Sequence, residues 1–215
     1  MWIFDIIRDV QTKTQPDEIR DYFTDASNMP GGFADGVYFA ESLADLSRIL
    51  REANDAGEAV TVSGPRTGTV GGAVPFGGRG ISVEKLNKIK AIDRERMTAT
   101  VEPGVALADF QKAVDAEGLF YPPDPTEWSC QIGGTVATNA SGSRSFKYGA
   151  TREFVNGLTV VLADGDVLRL RRGEVFSDDK GTIELNTKSG RKIVAKVPTY
   201  RRPNVRKNVS GYFNE

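Results

Sequence analysis

A glycine-rich loop occupies residues 63–72, Ser63-Gly64-Pro65-Arg66-Thr67-Gly68-Thr69-Val70-Gly71-Gly72, directly after the apolar run Ala59–Val62. Glycine adopts positive φ angles and lets the backbone approach a ligand closely, and successive amides in such a turn can form a concave anion site. The loop lacks the Gly-Lys-Ser/Thr of a nucleotide P-loop, and it runs into Pro75 rather than opening a helix as a dinucleotide fingerprint does. The residues alone leave two interpretations open, a structural glycine turn and a loop that binds an anion such as pyrophosphate.

A second segment of mostly small residues spans residues 122–142 and reads PPDPTEWSCQIGGTVATNASG. Its three prolines favour an extended backbone, and Gly133 and Gly134 permit close contact with a ligand. The alanine, serine and glycine residues between 137 and 142 could bring backbone amides against a flat ring. Such a surface suits a large planar cofactor better than a metal ion. A tight loop packed on the preceding helix would explain the same residues.

The patterns around the first loop predict strands and a helix in alternation. Val37–Ala40 is a strand candidate, and Ser42 begins a helix because Ser42 and Asp45 fit a capping box. Gly57 ends that helix, and a strand at Ala59–Val62 follows at once. The order strand, helix, strand predicts a parallel pair. A further strand of the same small sheet is predicted at 81–83.

The patterns after residue 91 predict antiparallel pairing. A strand at 98–101 stops at Pro103-Gly104, and Leu107, Phe110 and Val114 share one face of a helix. Two hairpins are then predicted from alternating apolar residues around short turns, at 158–162 with 167–170 and at 182–185 with 192–197.

The composition excludes several kinds of site. The chain has 215 residues, a net charge of -1, one Cys and no His. It can therefore form no Ser-His-Asp relay, no imidazole metal site and no histidyl link to a flavin. A single cysteine forms no internal disulfide, so a reducing, cytoplasmic compartment is expected. The balanced charge predicts no nucleic-acid binding, and the charged residues within the first ten predict a docked amphipathic helix rather than a membrane span.

Together the two segments resemble the FAD-binding domain of the vanillyl-alcohol oxidase and p-cresol methylhydroxylase (PCMH-type) superfamily. The branch most similar in its motifs holds glycolate and D-lactate dehydrogenases and alkylglycerone-phosphate synthase. Residues 64–72 resemble the family's glycine-rich pyrophosphate loop, and residues 123–142 resemble its Pro-x-Asp-Pro and Ile-Gly-Gly segments. Further matches are Thr100–Gly104, Tyr148-Gly149 and Lys207–Tyr212, so the resemblance extends from about Ala34 to the last residue.

The resemblance implies an α+β fold with non-covalent FAD held between two parts. A small parallel α/β subdomain at 37–90 would pack on a larger, mainly antiparallel sheet subdomain with flanking helices at 91–215, after an N-terminal helical arm at 1–36. The same resemblance implies the cofactor-binding residues. These are Gly64, Pro65, Arg66, Thr67, Gly68, Thr69, Gly71, Pro123, Asp124, Pro125, Thr126, Ser129, Ile132, Gly133, Gly134, Ala137, Thr138, Asn139, Ala140, Ser141 and Gly142.

Two departures from the family pattern qualify this expectation. Pro65 and Arg66 stand where the family usually has glycine, so one N–H donor is lost. The Arg66 guanidinium could replace it on a phosphate oxygen, or it could face solvent. The sequence also stops shortly after Tyr212, where relatives continue into a strand that closes the FAD site and then into a cap domain. We therefore expect a chain truncated before the cap, with its catalytic residues lying beyond Glu215.

Two functions remain after this comparison. The first is the FAD-binding portion of an oxidoreductase that transfers a hydride from a 2-hydroxy acid of the D-lactate or glycolate type to flavin N5, with a small-molecule substrate bound through the missing cap. The second is a stand-alone or degenerate FAD-binding subunit that needs a separate cap polypeptide.

Four features near or beyond the predicted site have simpler interpretations. Cys130 is expected to be a small buried residue rather than a flavin attachment point. Asp124 and Glu127 are expected to cap the loop. Trp128 could stack on the flavin, but it is expected to fill the core. The basic residues of the tail, at 201–207, are expected to lie on a solvated strand edge or at an interface with the absent cap.

Overall fold

The computed structural model describes residues 9–198 and 204–205. The strands in these residues are β1 Gln11–Lys13, β2 Gly36–Phe39, β3 Val60–Ser63, β4 Arg79–Ser82, β5 Ile89–Asp93, β6 Thr98–Val101, β7 Gly157–Val161, β8 Val167–Arg171, β9 Thr182–Asn186 and β10 Lys192–Lys196. The α-helices are α1 Pro16–Ile19, α2 Leu43–Ala56, α3 Leu107–Ala116, α4 Ile132–Ala137 and α5 Ser145–Tyr148. Short 3-10 helices cover Arg20–Phe23 and Thr151–Phe154.

The first sheet has the strand order β1-β2-β4-β3. Strands β2 and β3 each pair in parallel with β4, with Val37 opposite Gly80 and Val62 opposite Ile81. The predicted parallel pairing is therefore present, but β2 and β3 do not pair with each other as the sequence had suggested. Strand β4 lies between them because Gly80, Ile81 and Ser82 are all buried, and a strand buried on both faces takes the centre of a parallel sheet.

Helix α2 covers one face of this sheet and has the predicted ends. The Ser42 hydroxyl accepts a hydrogen bond from the Asp45 amide at 3.1 Å, and Gly57 ends the helix with a φ of 67°. Its buried residues Ile49 and Ala53 face the sheet, where Ile49 packs in one cluster with Ile81. Burial of this face holds α2 and β4 together.

The predicted helical arm at 1–36 is wrong for the described part of that range. Residues 11–13 form β1 instead, which pairs antiparallel with β2 and places Gln11 opposite Phe39. The helix that follows has only four residues and begins at Pro16, a residue that suits the first turn of a helix but not its interior. Residues 11–13 form a strand because they hydrogen-bond to the edge of β2, and this pairing cannot be read from the local sequence. Residues 1–8 lie outside the described residues.

The later half of the chain is antiparallel, as predicted. It contains three two-stranded sheets in the described residues, β5–β6, β7–β8 and β9–β10. The β7–β8 hairpin is tied to the first sheet because the Ser47 hydroxyl of α2 donates a hydrogen bond to the Gly165 carbonyl in the hairpin turn. This contact is close, since a Cβ at Gly165 would lie 2.2 Å from the Ser47 carbonyl oxygen.

A second core lies under α3 and supports the segment at 122–142. Leu107, Phe110 and Val114 are buried on one face of α3, as predicted, and they pack with Cys130 and Ile132. The same cluster includes Val105 and, at its edge, Tyr121. The first residues of α3 also hold the second candidate segment, because the Ala108 amide donates to the Trp128 carbonyl and the Leu107 amide donates to the Cys130 carbonyl.

Candidate cofactor-binding site

The loop at 63–72 begins at the carboxyl end of β3 and presents a row of unpaired donors. Ser63 is buried, and its carbonyl accepts a hydrogen bond from the Val83 amide. The five amides from Arg66 to Val70 donate no hydrogen bond to any atom of the described residues. Residues 68–70 are exposed, so these donors are open to a ligand. A row of free amides in a turn is the feature that an anion requires.

Arg66 adopts the backbone conformation of a glycine. Its φ is 59°, in the left-handed region that costs a non-glycine residue about 1 kcal/mol or more. Its side chain folds back: the Nη1 atom donates to the Gly64 carbonyl at 3.1 Å, and the guanidinium lies 4.4 Å from the Tyr22 ring centroid. Arg66 therefore has a glycine-like backbone conformation, and its contacts with Gly64 and Tyr22 stabilise this strained residue.

An N-terminal strap, residues 22–29, holds both ends of the loop, and sequence reasoning missed it. The Ala26 amide donates to the Arg66 carbonyl at 3.1 Å, near the start of the loop. The Asp25 carboxylate accepts from the Ala73 amide at 3.5 Å, just past its end. Met29 lies against Gly71, where a Cβ would be 2.6 Å from the methionine methyl carbon. No local pattern in the sequence links these residues, because the contacts join segments about 45 residues apart.

Asp25 is a buried carboxylate, with 8% of its surface exposed. Burial raises its pKa, but hydrogen bonds from the hydroxyl and amide of Ser27 and from the amides of Ala73 and Gly71 outweigh burial, so the pKa lies below its ordinary value. Asp25 is therefore ionised at neutral pH. Its charge is satisfied by donors at the end of the loop and within the strap.

The segment at 122–142 is pinned by backbone pairing to residues 103–108. The Cys130 carbonyl accepts from the Leu107 amide at 2.8 Å, and the Ile132 amide donates to the Val105 carbonyl at 2.9 Å. Helix α4 then occupies Ile132–Ala137, which the sequence had not indicated because Gly133 and Gly134 disfavour a helix. Its first turn has no side-chain cap, and the Gly133 amide bonds to the Pro103 carbonyl at 2.8 Å instead.

The two glycines of α4 face different surroundings. A Cβ at Gly133 would lie 2.5 Å from the Pro103 Cβ, so this glycine permits the close packing of α4 on the loop before α3. A Cβ at Gly134 would meet no atom within 4 Å, and Gly134 is exposed. Ala137 and Thr138, on the next turn, are also exposed. One face of α4 is therefore free of contacts with the described residues and is lined by small residues.

The carboxylates of the segment act as loop caps, as predicted. Asp124 accepts from the Thr126 amide at 3.1 Å and pairs with Arg144 at 3.4 Å. Glu127 accepts from the Ser129 hydroxyl at 2.6 Å and from its amide, and these hydrogen bonds lower the pKa of Glu127. Thr126 has a φ of 76°, which marks a sharp turn after Pro125.

The residues at the end of the segment are held by the backbone. A Cβ at Gly142 would lie 1.8 Å from the Asp124 carbonyl oxygen, so glycine is required where the two ends of the segment meet. The Ala140 carbonyl accepts from the Thr151 hydroxyl at 2.8 Å, and the Asn139 side chain accepts from the Arg152 amide at 3.0 Å. Ser141 is half-buried beside them. Asn139 and Ala140 thus fix the exit from α4.

The two candidate segments meet at Gly64 and Gln131. The Gln131 Oε1 atom lies 2.5 Å from the position that a Cβ on Gly64 would take. This buried oxygen accepts no hydrogen bond within the described residues. Gln131 was not among the predicted site residues, because only the fold brings it to Gly64. The contact joins the residues that directly precede the Arg66–Val70 amides and helix α4.

Cys130 and Trp128 differ in how they match their predictions. Cys130 is buried, as predicted, and burial raises the pKa of its thiol to about 11. Trp128 does not fill the core: it is 69% exposed. The Trp128 carbonyl bonds to the Ala108 amide, which fixes the backbone, and the capped turn at Glu127–Ser129 turns the indole outward.

The basic tail at 201–207 and the Lys207–Tyr212 motif cannot be compared with the structure, since all but residues 204–205 lie outside the described range. Within the described range no cluster of three or more Cys, Asp or Glu could hold a metal ion. The longest helix there, α2, has 14 residues, which is shorter than the roughly 20 that a membrane crossing needs.

The residues present fit a dinucleotide such as FAD. Five amides with no acceptor among the described residues suit a pyrophosphate, and the small residues on the open face of α4 leave room for a flat ring. Gln131 supplies a buried acceptor between the two places.

Comparisons with known proteins agree with this geometry. Residues 34–171 match the sequence model of a family described as "FAD binding domain". The chain is 44% identical over 132 residues to a D-lactate dehydrogenase of Anaerostipes hadrus, covering 61% of this chain and 28% of that protein. It is 36% identical over 193 residues to the glycolate oxidase subunit GlcD of Bacillus subtilis strain 168, covering 83% of this chain and 41% of the relative.

A solved structure shows the same fold. The 6-hydroxy-D-nicotine oxidase of Arthrobacter nicotinovorans superposes with a TM-score of 0.69 at 21% identity, covering 81% of this chain and 38% of that one. The PCMH-type α+β fold and the FAD cofactor predicted from the sequence are confirmed. The chain spans well under half the length of each of these proteins. It belongs to the FAD-binding domain family of FAD-linked oxidoreductases, and its relatives include proteins named for the oxidation of D-lactate and glycolate.

Proposed function

We propose that this chain binds FAD non-covalently as the cofactor domain of an oxidoreductase that acts on a 2-hydroxy acid. The pyrophosphate would lie on the amides of the loop at 63–72, and the ribityl chain and isoalloxazine along the segment at 122–142. FAD would thus lie between the parts at 37–90 and 91–215. The observation that carries the proposal is the row of five amides from Arg66 to Val70, after β3, that donate no hydrogen bond within residues 9–198 and 204–205.

The loop can hold a pyrophosphate without a large protein charge. Backbone amides that are fixed in advance bind an anion with little loss of conformational entropy on binding. Pro65 contributes no N–H, so the donors begin at Arg66. The Arg66 guanidinium is held by Tyr22 and Gly64 in the structure. We therefore assign the pyrophosphate to the backbone rather than to this side chain.

The flavin ring is proposed to lie against the open face of α4. Gly134 leaves space where a side chain would stand, and Ala137 keeps the next turn shallow. Thr126 and Ser129 are exposed at the far end of the segment. The remaining predicted residues keep this surface in place, as Gly133 does on Pro103 and Gly142 on Asp124.

When bound, FAD supplies a hydride acceptor at flavin N5 for the oxidation of an alcohol carbon. The residues of this chain bind and orient it and exclude water from one side of the ring. Substrate-binding and catalytic groups are proposed to come from polypeptide outside these 215 residues. The share of the relatives that the chain covers, 28% and 41%, supports that division. A cytoplasmic location remains part of the proposal.

Titration of the purified chain with FAD tests the proposal. We expect flavin fluorescence to change saturably and the Tm to rise with FAD, because a ligand that binds the folded state stabilises it. The matched pair Gly71→Ala and Gly72→Ala locates the site. Gly71 has a φ of 76° and contacts Met29, whereas a Cβ at Gly72 meets no atom within 4 Å. Gly71→Ala should weaken binding strongly and Gly72→Ala little. No binding by the unchanged chain would contradict the proposal.

Reduction of the bound flavin tests whether the catalytic groups lie outside these 215 residues. Stopped-flow mixing with D-lactate, glycolate or D-2-hydroxyglutarate should leave the flavin oxidised in the isolated chain. Rapid reduction by any of the three would show that catalytic groups lie within these residues.

The second candidate function, an FAD-binding or assembly subunit whose cap is a separate polypeptide, is favoured by Pro65, which removes one donor from the loop. FAD binding followed by flavin reduction only after addition of a second polypeptide would favour this alternative. A degenerate module would bind no FAD at all.

A further inference from the structure

The N-terminal strap lies outside the region that the family model matches, which begins at residue 34. It nevertheless contacts the loop at 63–72 near its start, just past its end, and at Gly71 through the side chain of Met29, the last residue of the strap. These contacts are the Ala26 amide on the Arg66 carbonyl, Asp25 on the Ala73 amide, and Met29 on Gly71. Three contacts from eight residues therefore hold the loop against the strap.

Asp25 is the centre of this arrangement. Its Oδ1 accepts from the Ser27 amide at 2.9 Å and from the Ser27 hydroxyl, and its Oδ2 accepts from Ala73. The Ser27 oxygen in turn accepts from the Met29 amide at 3.1 Å. A buried carboxylate is costly unless donors surround it, so the donors and the carboxylate must keep this geometry together.

This network bonds the amides that directly follow the Arg66–Val70 stretch. Asp25 accepts from the amides of Gly71 and Ala73 at the end of the loop, whereas those of Arg66 to Val70 donate to no acceptor in the part of the chain that the structure describes. At the other end Ala26 holds the Arg66 carbonyl, and Tyr22 lies against the Arg66 guanidinium. The strap therefore holds the loop on both sides of the Arg66–Val70 amides.

We propose that Asp25 is a positioning residue of the cofactor site, which acts through Gly71 and Ala73 to hold the pyrophosphate loop in its binding conformation. This inference rests on the proposed function, because it assigns the residue that organises the loop for FAD. Asp25 would not touch the cofactor. A carboxylate facing a pyrophosphate would repel it, so its effect on FAD must come from the geometry it imposes.

The test compares Asp25→Asn with a matched control, Asp166→Asn. Asp166 also organises a turn, since it accepts from the Ser189 hydroxyl at 2.5 Å and from the Val167 amide at 2.8 Å, but it lies in the β7–β8 hairpin. Asparagine keeps the shape of aspartate and replaces one acceptor oxygen by a donor, which cannot accept from an amide. FAD Kd is measured by flavin fluorescence at a temperature where every variant is folded.

We expect Asp25→Asn to raise the FAD Kd at least fivefold and Asp166→Asn to change it less than twofold. An equal loss in both variants would mean that the effect is one of stability, and unchanged binding in Asp25→Asn would overturn the role of Asp25. Ser27→Ala, which removes one hydroxyl donor to the carboxylate, should weaken binding in the same direction. If Asp25→Asn does not fold, Ser27→Ala is measured in its place, and unchanged FAD binding in Ser27→Ala would then overturn the role of Asp25.

Amide hydrogen exchange without FAD separates this inference from the proposed function. Asp25→Asn should speed exchange at Gly71 and Ala73 at least tenfold relative to the unchanged chain, while Asp166→Asn should not. Unchanged exchange at both amides would overturn the inference even if FAD binds. If the unchanged chain binds no FAD, the proposed function fails, and with it the assignment of Asp25 to a cofactor site.

Discussion

Gly134 offers the sharpest substitution because the protein and the cofactor should respond to it in opposite directions. It lies in α4, it is exposed, and a Cβ built on it would meet no atom within 4 Å. Alanine there should fit without a clash in the protein alone. Replacing a helical glycine by alanine stabilises a protein by about 0.4–1 kcal/mol.

For a chain of this length that gain corresponds to a rise in Tm of about 1–4 °C. With FAD the sign reverses, because the new methyl group would occupy space that we assign to the flavin. Overpacking by one methyl group costs about 1–3 kcal/mol, so the FAD Kd should rise roughly fivefold or more. Differential scanning fluorimetry without FAD and fluorescence titration with FAD measure the two effects.

Gly133→Ala is the matched control on the same helix. Its Cβ would lie 2.5 Å from Pro103 and 3.0 Å from the Pro103 carbonyl oxygen, so it should lower the Tm of the chain without FAD. A Gly134→Ala variant that binds FAD as tightly as the unchanged chain would refute the placement of the flavin on α4. So would a Gly134→Ala variant that is itself destabilised, since the face would then not be open.

Three further outcomes follow from other parts of the molecule. Ser42→Ala should lower the free energy of unfolding in urea by about 1 kcal/mol through loss of the cap on Asp45, whereas the exposed Ser177→Ala should change it little. The Cys130 thiol, buried and with a pKa of about 11, should react with Ellman's reagent only after unfolding in guanidinium, and fast reaction of the native chain at pH 7 would contradict its burial. Asp25 has a folded pKa below its unfolded value, so its contribution to stability is fully present above about pH 4 and is lost as the pH falls through the folded pKa. Acid unfolding monitored by circular dichroism should therefore show a shallower pH dependence in Asp25→Asn than in the unchanged chain.

The sequence predicted the parts of the fold that depend on local pattern. Helix α2, between Ser42 and Gly57, and the β7–β8 hairpin around Gly165 follow from capping and turn residues. The family resemblance, which rests on short loops in a fixed order, led to the PCMH-type fold and to FAD. These features are visible in sequence because each depends on residues close together in the chain.

The features that sequence analysis missed depend on partners far along the chain. Strand β1 has three residues, and only the free edge of β2 makes it a strand. The position of β4 between β2 and β3 depends on burial on both sides. Helix α4 forms despite Gly133 and Gly134 because residues 103–105 hold its first turn. In each case tertiary contacts override local preference.

In the candidate site, too, the sequence shows the motifs but not the contacts between residues that are far apart in the chain. The glycine loop and the Ile-Gly-Gly segment were found from composition, but the residues that connect them were not. Gln131 meets Gly64, and Asp25 meets Ala73, only in the folded chain. Trp128, expected in the core, is exposed because the turn capped by Glu127 directs it outward.

Amide NMR of the chain during titration with FAD tests the central claim most directly, because it observes the proposed donors themselves. In ¹H–¹⁵N spectra we predict that the amide signals of Arg66 to Val70 move downfield as hydrogen bonds to the pyrophosphate form, while those of the β9–β10 hairpin stay in place. Riboflavin, which has no phosphate, should leave the Arg66–Val70 signals unmoved. Binding of FAD without any change at these five amides, or no binding of FAD at all, would contradict the account.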